Sequence, residues 1–166
     1  MALPDFSKLV SAYPQGPATS PFTVSDIATL IAGDVGKNLN DTKYVDYKDT
    51  CAIRISRALN YAGAPIAFQG GGLPNPFGGN GKIRTDKGGD GKWYIYSTYD
   101  MRAYLNAKFG KGKSFAGSTP KSDLSKFKGI IAFGFYHLDL WNGTAAVHNE
   151  YFGHPKAKEL IIWSAP

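Results

Sequence analysis

Cysteine occurs once among the 166 residues. The stretch Asp49-Thr50-Cys51 runs directly into Ala52–Ala62, where apolar residues at 52, 55, 59 and 62 recur with helical spacing. A thiol in the first turn of a helix lies among unpaired N–H groups at the positive end of the macrodipole. That position predicts a thiol pKa below the free value of about 8.5 and a nucleophilic thiolate. The same position equally suits a small buried apolar residue, the commonest use of an unpaired cysteine. Thiol hydrolysis needs a base within hydrogen-bond reach and a polar group that holds this base in its reactive tautomer.

Three histidines are available as the base. His137 opens the alternating run His137-Leu138-Asp139-Leu140-Trp141, which would mount its ring rigidly on one face of a sheet. His148 follows the Asn142-Gly143 turn and can return beside His137, whereas His154 precedes Pro155 in a predicted loop. Asp139 shares the strand face of His137 and either orients the imidazole or pairs with a lysine. The spacing leaves other classes open. Zinc peptidase chemistry would use His137, Asp139 and His148, although their spacing matches no helical metal motif. A non-catalytic cell-wall or nucleic-acid binder would use the basic charge and the 14 % aromatic content, and would leave Cys51 without a purpose. Gly112-Lys113-Ser114 fails as a phosphate loop because Ala107 stands where glycine is required, and no dinucleotide fingerprint is present.

Residues 5–12 and 23–32 read as two short helices, the second closed by Gly33. The helix after Thr50 stops at Gly63, with Pro65 just beyond. Residues 70–91 are rich in glycine and aperiodic, which predicts a long irregular loop whose Lys82, Arg84, Lys87 and Lys92 either border a substrate groove or are only solvated. Trp93–Tyr96 reads as a strand and Thr98–Phe109 as a helix, followed by a flexible basic Lys111-Gly112-Lys113 and a short helical piece within 120–128. Residues 129–133, 136–141 and 160–163 are β-branched and aromatic runs between turn residues, which predicts an antiparallel sheet. Helices followed by strands give an α+β fold, in one domain spanning 1–166, with the Cys51 helix packed on the sheet.

Apolar residues make up 43 % of the chain and charged ones 19 %, and no run approaches the roughly 20 apolar residues of a membrane span. The formal net charge of +6 favours polyanionic partners such as an anionic cell-wall polymer. Met1–Lys8 lacks the basic start and apolar core of a secretory signal, so synthesis in the cytoplasm without a signal peptide is expected. The Asn-x-Thr sequons at Asn40 and Asn142 would matter only in a eukaryotic secretory pathway.

Four ordered blocks carry a family resemblance: Gly33-Asp34-Val35-Gly36-Lys37-Asn38, Cys51 to Asn60, Lys92–Tyr96 leading to Asp100-Met101, and His137 to Gly143. With the closing Leu160–Trp163, they resemble the type VI secretion amidase effectors of the fourth amidase family. The resemblance implies a papain-like cysteine peptidase fold and cleavage of the peptidoglycan stem peptide between γ-D-glutamate and meso-diaminopimelate. It also implies delivery by the type VI apparatus to the periplasm of target cells, and inhibition by a cognate immunity protein. No nucleic acid, membrane, cofactor or metal is implied. Carried over by residue, Cys51 is the nucleophile and His137 the general base. The family pattern has an aspartate about where His148 falls, so His148 is expected as the orienting residue, with Asn149 and Asp139 behind it. Tyr136 stands where the pattern has glycine, which would narrow the cleft.

Overall fold

The computed structural model describes residues 1–41, 43, 49–70, 72–78 and 81–166. Thr42 of the first sequon, and positions 71, 79 and 80 of the glycine-rich stretch, lie outside the described residues. The helices are α1 Phe6–Ala12, α2 Val24–Ile31, α3 Gly33–Asn40, α4 Cys51–Tyr61 and α5 Thr98–Phe109. The strands are β1 Asp86–Lys87, β2 Trp93–Tyr94, β3 Lys113–Ala116, β4 Gly129–Phe133, β5 His137–Trp141 and β6 Glu159–Ser164.

Local chemistry sets these boundaries. α2 starts in a capping box: Thr23 Oγ1 accepts the Asp26 N–H at 3.2 Å, and Thr23 N–H donates to Asp26 Oδ2 at 2.7 Å. Gly33 does more than close this helix. It opens α3, in a left-handed conformation with φ of 62°, pressed against the backbone of Gly88 and Gly89. Gly89 N–H caps Ile31 O at 2.9 Å, so the junction between α2 and α3 is clamped by a distant turn. α4 ends where Ala64 N–H turns back to Leu59 O at 3.0 Å across Gly63, whose φ of 101° glycine tolerates.

β3, β6, β4 and β5 form one antiparallel sheet in that order, and β1 pairs with β2 in a separate ribbon. The predicted sheet therefore forms, with a fourth strand that the basic Lys111–Lys113 did not advertise. Register fixes the two faces. Ile130, Ala132, Leu138 and Leu140 join a core with Ala52, Ile55 and Leu59 of α4. Ile131, Phe133, Trp141 and Ile162 alternate to the opposite face and pack with Leu124 and Ala157.

α4 is the central element. Its predicted stripe of Ala52, Ile55, Leu59 and Ala62 is buried, and Ile53 on another side packs with Ile27, Ile31, Val35 and Tyr94. Each fully buried Ile or Leu side chain stabilises by about 1.5–3 kcal/mol relative to exposure. Ser56 and Asn60 tie α4 to the chain after β1. Ser56 Oγ donates to Ile95 O at 3.0 Å and accepts Ile95 N–H at 2.9 Å, and Asn60 Nδ2 donates to Trp93 O at 2.9 Å. Arg54, 3 % exposed, reaches out from the other side of the helix. It donates to Thr50 Oγ1 at 3.0 Å, to Phe22 O at 2.7 Å and to Pro14 O.

The glycine-rich stretch is less irregular than its sequence suggests. Pro74 bridges Lys82, Asn75 N–H donates to Gly81 O, and Asp86–Lys87 pairs with β2. Its anchor is Asp100 of α5, fully buried, which accepts from Asn75 Nδ2 at 2.6 Å and Arg84 Nε at 2.9 Å.

Candidate active site

β5 lies at the edge of its sheet, and the first turn of α4 packs against it. Cys51 therefore meets the strand that carries His137, with the Leu138 main chain beside the sulfur. One atom each of Asp49 (a carboxylate oxygen), Cys51 (the sulfur) and His137 (a ring nitrogen) lie within 4.8 Å of one another. The imidazole sits between two carboxylates: Nε2 is 3.4 Å from Asp139 Oδ2, and Nδ1 is 3.9 Å from Asp49 Oδ2. Tyr151 flanks the ring at 4.7 Å between centroids, and Phe133 lies at 6.2 Å. The residues that line the resulting cleft of about 160 Å³ include Cys51, His137, Asp49, Arg54, His148 and Asn149.

The expected third residue differs from what the structure assembles. The His148 ring turns to its neighbour, with Nδ1 2.7 Å from Asn149 Nδ2, and the group at His137 is the Asp139 carboxylate. Asp139 is fully buried and held from several sides. Oδ1 accepts Leu140 N–H at 2.7 Å, while Oδ2 accepts Asn149 N–H at 2.7 Å and His148 N–H at 3.2 Å. His148 and Asn149 thus support the site through their main chain. Asp139 is reached simply because it is i+2 to His137 on one strand face.

The electrostatics also depart from expectation. Helix position predicts a lowered thiol pKa, yet burial pushes the Cys51 thiol up, and the Asp49 charge adds to this against the opposing influence of His137. Cys51 is 1 % exposed, and its own N–H already donates to Asp49 Oδ1 at 3.0 Å, so desolvation outweighs the helix terminus. For His137 burial works downward, but the hydrogen bonds with Asp139, Asp49 and Cys51 outweigh it and carry the pKa to about 12. Asp49 is held below the usual carboxylate range because hydrogen bonds from His137 and Cys51 N–H outweigh its desolvation. Burial, and then the Arg54 charge, push His148 down.

Asp49 is a neighbour of Cys51 and His137 that the sequence did not single out. Its signal was modest: an aspartate just before a helix start, where such side chains accept the first free N–H groups. Lys82, Arg84, Lys87 and Lys92 do not line the cleft at Cys51, and Arg84 is engaged with Asp100. Larger hollows exist, including one of about 390 Å³ at Ser7, Lys8 and Arg57 and one of about 600 Å³ at Tyr99, Phe135 and Lys156. Neither brings a nucleophile to a base. The zinc set His137, Asp139 and His148 does not assemble; among the described residues the metal-ligating atoms that come together are those of Asp49, Cys51 and His137.

A helix-borne cysteine set against a histidine on an antiparallel sheet is the papain-like arrangement, and solved structures match it over nearly the whole chain. The effector Tae4 from Salmonella typhimurium, in complex with the immunity protein Tai4 from Enterobacter cloacae, is 26 % identical with a TM-score of 0.76, covering 98 % of this chain and 99 % of that one. Tae4 in the Tae4-Tai4 complex from Enterobacter cloacae is 25 % identical with a TM-score of 0.78, with the same coverage. Tae4 of Enterobacter cloacae on its own is 26 % identical with a TM-score of 0.76, covering 100 % of both chains. None of the curated proteins compared matches the sequence. Residues 47–163 match the family described as type VI secretion system amidase effector protein 4, and the chain belongs to that family.

Proposed function

We propose that this amidase effector hydrolyses the peptidoglycan stem peptide between γ-D-glutamate and meso-diaminopimelate, with Cys51 as nucleophile, His137 as acid and base, and Asp139 as the residue that orients His137. The observation that carries this reading is the buried Asp139–His137 contact at 3.4 Å, on a ring that also has a nitrogen within 4.8 Å of the Cys51 sulfur. Substrate entry displaces the half-exposed Asp49 carboxylate from Cys51 N–H, which removes a charge that raises the thiol pKa and frees a donor for the oxyanion. The thiol proton leaves to solvent, and the thiolate attacks the amide carbon. The tetrahedral intermediate collapses as the C–N bond breaks and the His137 imidazolium protonates the leaving amine. Neutral His137 then takes a proton from water, whose oxygen attacks the thioester and releases the acid and the Cys51 thiolate. Asp139 keeps the imidazole in one orientation throughout.

Residues 1–166 act as one domain in this reading, since α4 packs against α1, β2, α5 and β5. Family membership, and relatives solved with Tai4, support delivery to the periplasm of target cells by the type VI apparatus and blockade by a cognate immunity protein. Among the described residues no helix is long and apolar enough to cross a membrane.

Incubation with purified sacculi and mass analysis of the released muropeptides tests the reading. The wild type releases fragments with a new γ-D-glutamate terminus, and Cys51→Ala releases none. Release by Cys51→Ala, or cleavage at another bond, overturns it.

A further inference from the structure

The side chains at the head of α4 have a second chemical capacity. A soft thiolate, an imidazole and a carboxylate are the ligand types of zinc-class cations, and here their donor atoms lie within 4.8 Å of one another. We propose that Asp49, Cys51 and His137 form a three-ligand site for a zinc-class divalent cation, and that its occupation blocks the nucleophile.

Three features support this beyond proximity. Tetrahedral zinc with bonds of about 2.0–2.3 Å places its ligand atoms about 3.3–3.6 Å apart. The Asp49 Oδ2 to His137 Nδ1 distance is already 3.9 Å, and the Asp49 side chain is 51 % exposed and able to swing the remaining distance. The outer shell is also in place. The ring nitrogen remote from Asp49 meets the buried Asp139 carboxylate, as the second nitrogen of a metal-bound histidine characteristically does. Asp49 Oδ1 is itself steadied by Cys51 N–H at 3.0 Å, leaving Oδ2 toward His137.

Charge balances as well. Binding releases the Cys51 thiol proton and the Nδ1 proton to solvent, so one thiolate and one carboxylate neutralise the dication. The fourth position opens on the cleft and is filled by water. This set shares only His137 with the one that a zinc peptidase would need, and it consumes the thiol. The cation therefore inhibits rather than catalyses. The blocking half of the proposal rests on the cysteine mechanism above; the binding half does not.

Cobalt(II) is the probe for binding. Titration of the full chain is expected to give a thiolate-to-cobalt charge-transfer absorption saturating at one equivalent, and zinc displaces it. Cys51→Ala abolishes the band, Asp49→Ala weakens cobalt binding at least about tenfold, and His148→Ala leaves it within about twofold. Circular dichroism and thermal melts establish that each variant is folded. No band up to millimolar cobalt overturns the site, and a band unchanged in Asp49→Ala shows adventitious thiol binding only. On sacculi, zinc inhibits the wild type, EDTA restores activity, and Asp49→Ala needs at least about tenfold more zinc relative to its own uninhibited rate. Bound zinc with undiminished sacculus release overturns the blocking half. The cobalt band reads the site even for a protein that releases nothing.

Discussion

At the scale of the residue, the site turns on which group holds His137. Asp139 is buried against Nε2 and Asn149 Nδ2 takes the His148 ring, so Asp139→Asn is expected to lower kcat on muropeptides by about 10²–10⁴, and His148→Ala by less than about tenfold. Steady-state rates with retained melting temperature check this, and the reverse order would make His148 the orienter. The imidazolium also has a stability consequence. The folded pKa of His137, about 12, lies above the unfolded value of about 6.5, so its contribution is fully present below pH 6.5 and declines as pH rises toward 12. The melting-temperature gap between wild type and His137→Gln should therefore narrow steadily from pH 6 to pH 10. A gap that widens would reverse the sign. Cys51, Asp139 and His137 were all visible as candidates in the sequence. Their burial was not, and burial reversed the expected direction of the thiol shift.

At the scale of the element, α4 is where position is made. Periodicity disclosed its core stripe, Ala52, Ile55 and Leu59, because one buried face leaves a 3.6-residue trace. It did not disclose that Ser56 and Arg54 are buried too, since their partners Ile95, Pro14 and Phe22 are distant in sequence. Ser56→Ala strands both the N–H and the carbonyl of Ile95 and is expected to cost about 1–3 kcal/mol in denaturant unfolding. A loss below about 0.5 kcal/mol would mean that the hydroxyl contributes little to anchoring α4. α3 leaves no comparable trace in the sequence for a related reason. Gly33 is a good stop signal, and only the close approach of Gly88 and Gly89 explains why the chain turns there and starts a new helix.

At the scale of the whole molecule, the net charge of +6 faces an anionic wall polymer under the proposed function. Raising ionic strength from about 0.05 to 0.3 M should weaken sacculus association and slow release, because surface attraction is screened beyond the Debye length of about 10 Å or less. Turnover of a small soluble muropeptide should change far less. Equal salt effects on both substrates would place the charge dependence in the cleft rather than on the surface. In the basic glycine-rich stretch Arg84 is committed to Asp100, and Asp86–Lys87 to β2. The sequence by itself determined the helix that begins at Cys51, the strands with their alternating faces, and His137 and Asp139 on one of those faces, because each follows from local periodicity. Tertiary structure alone decided that the edge strand meets that helix start, which buries the thiol and sets His137 beside it. Those outcomes depend on sheet order and on desolvation, which are properties of contacts between segments far apart in the chain.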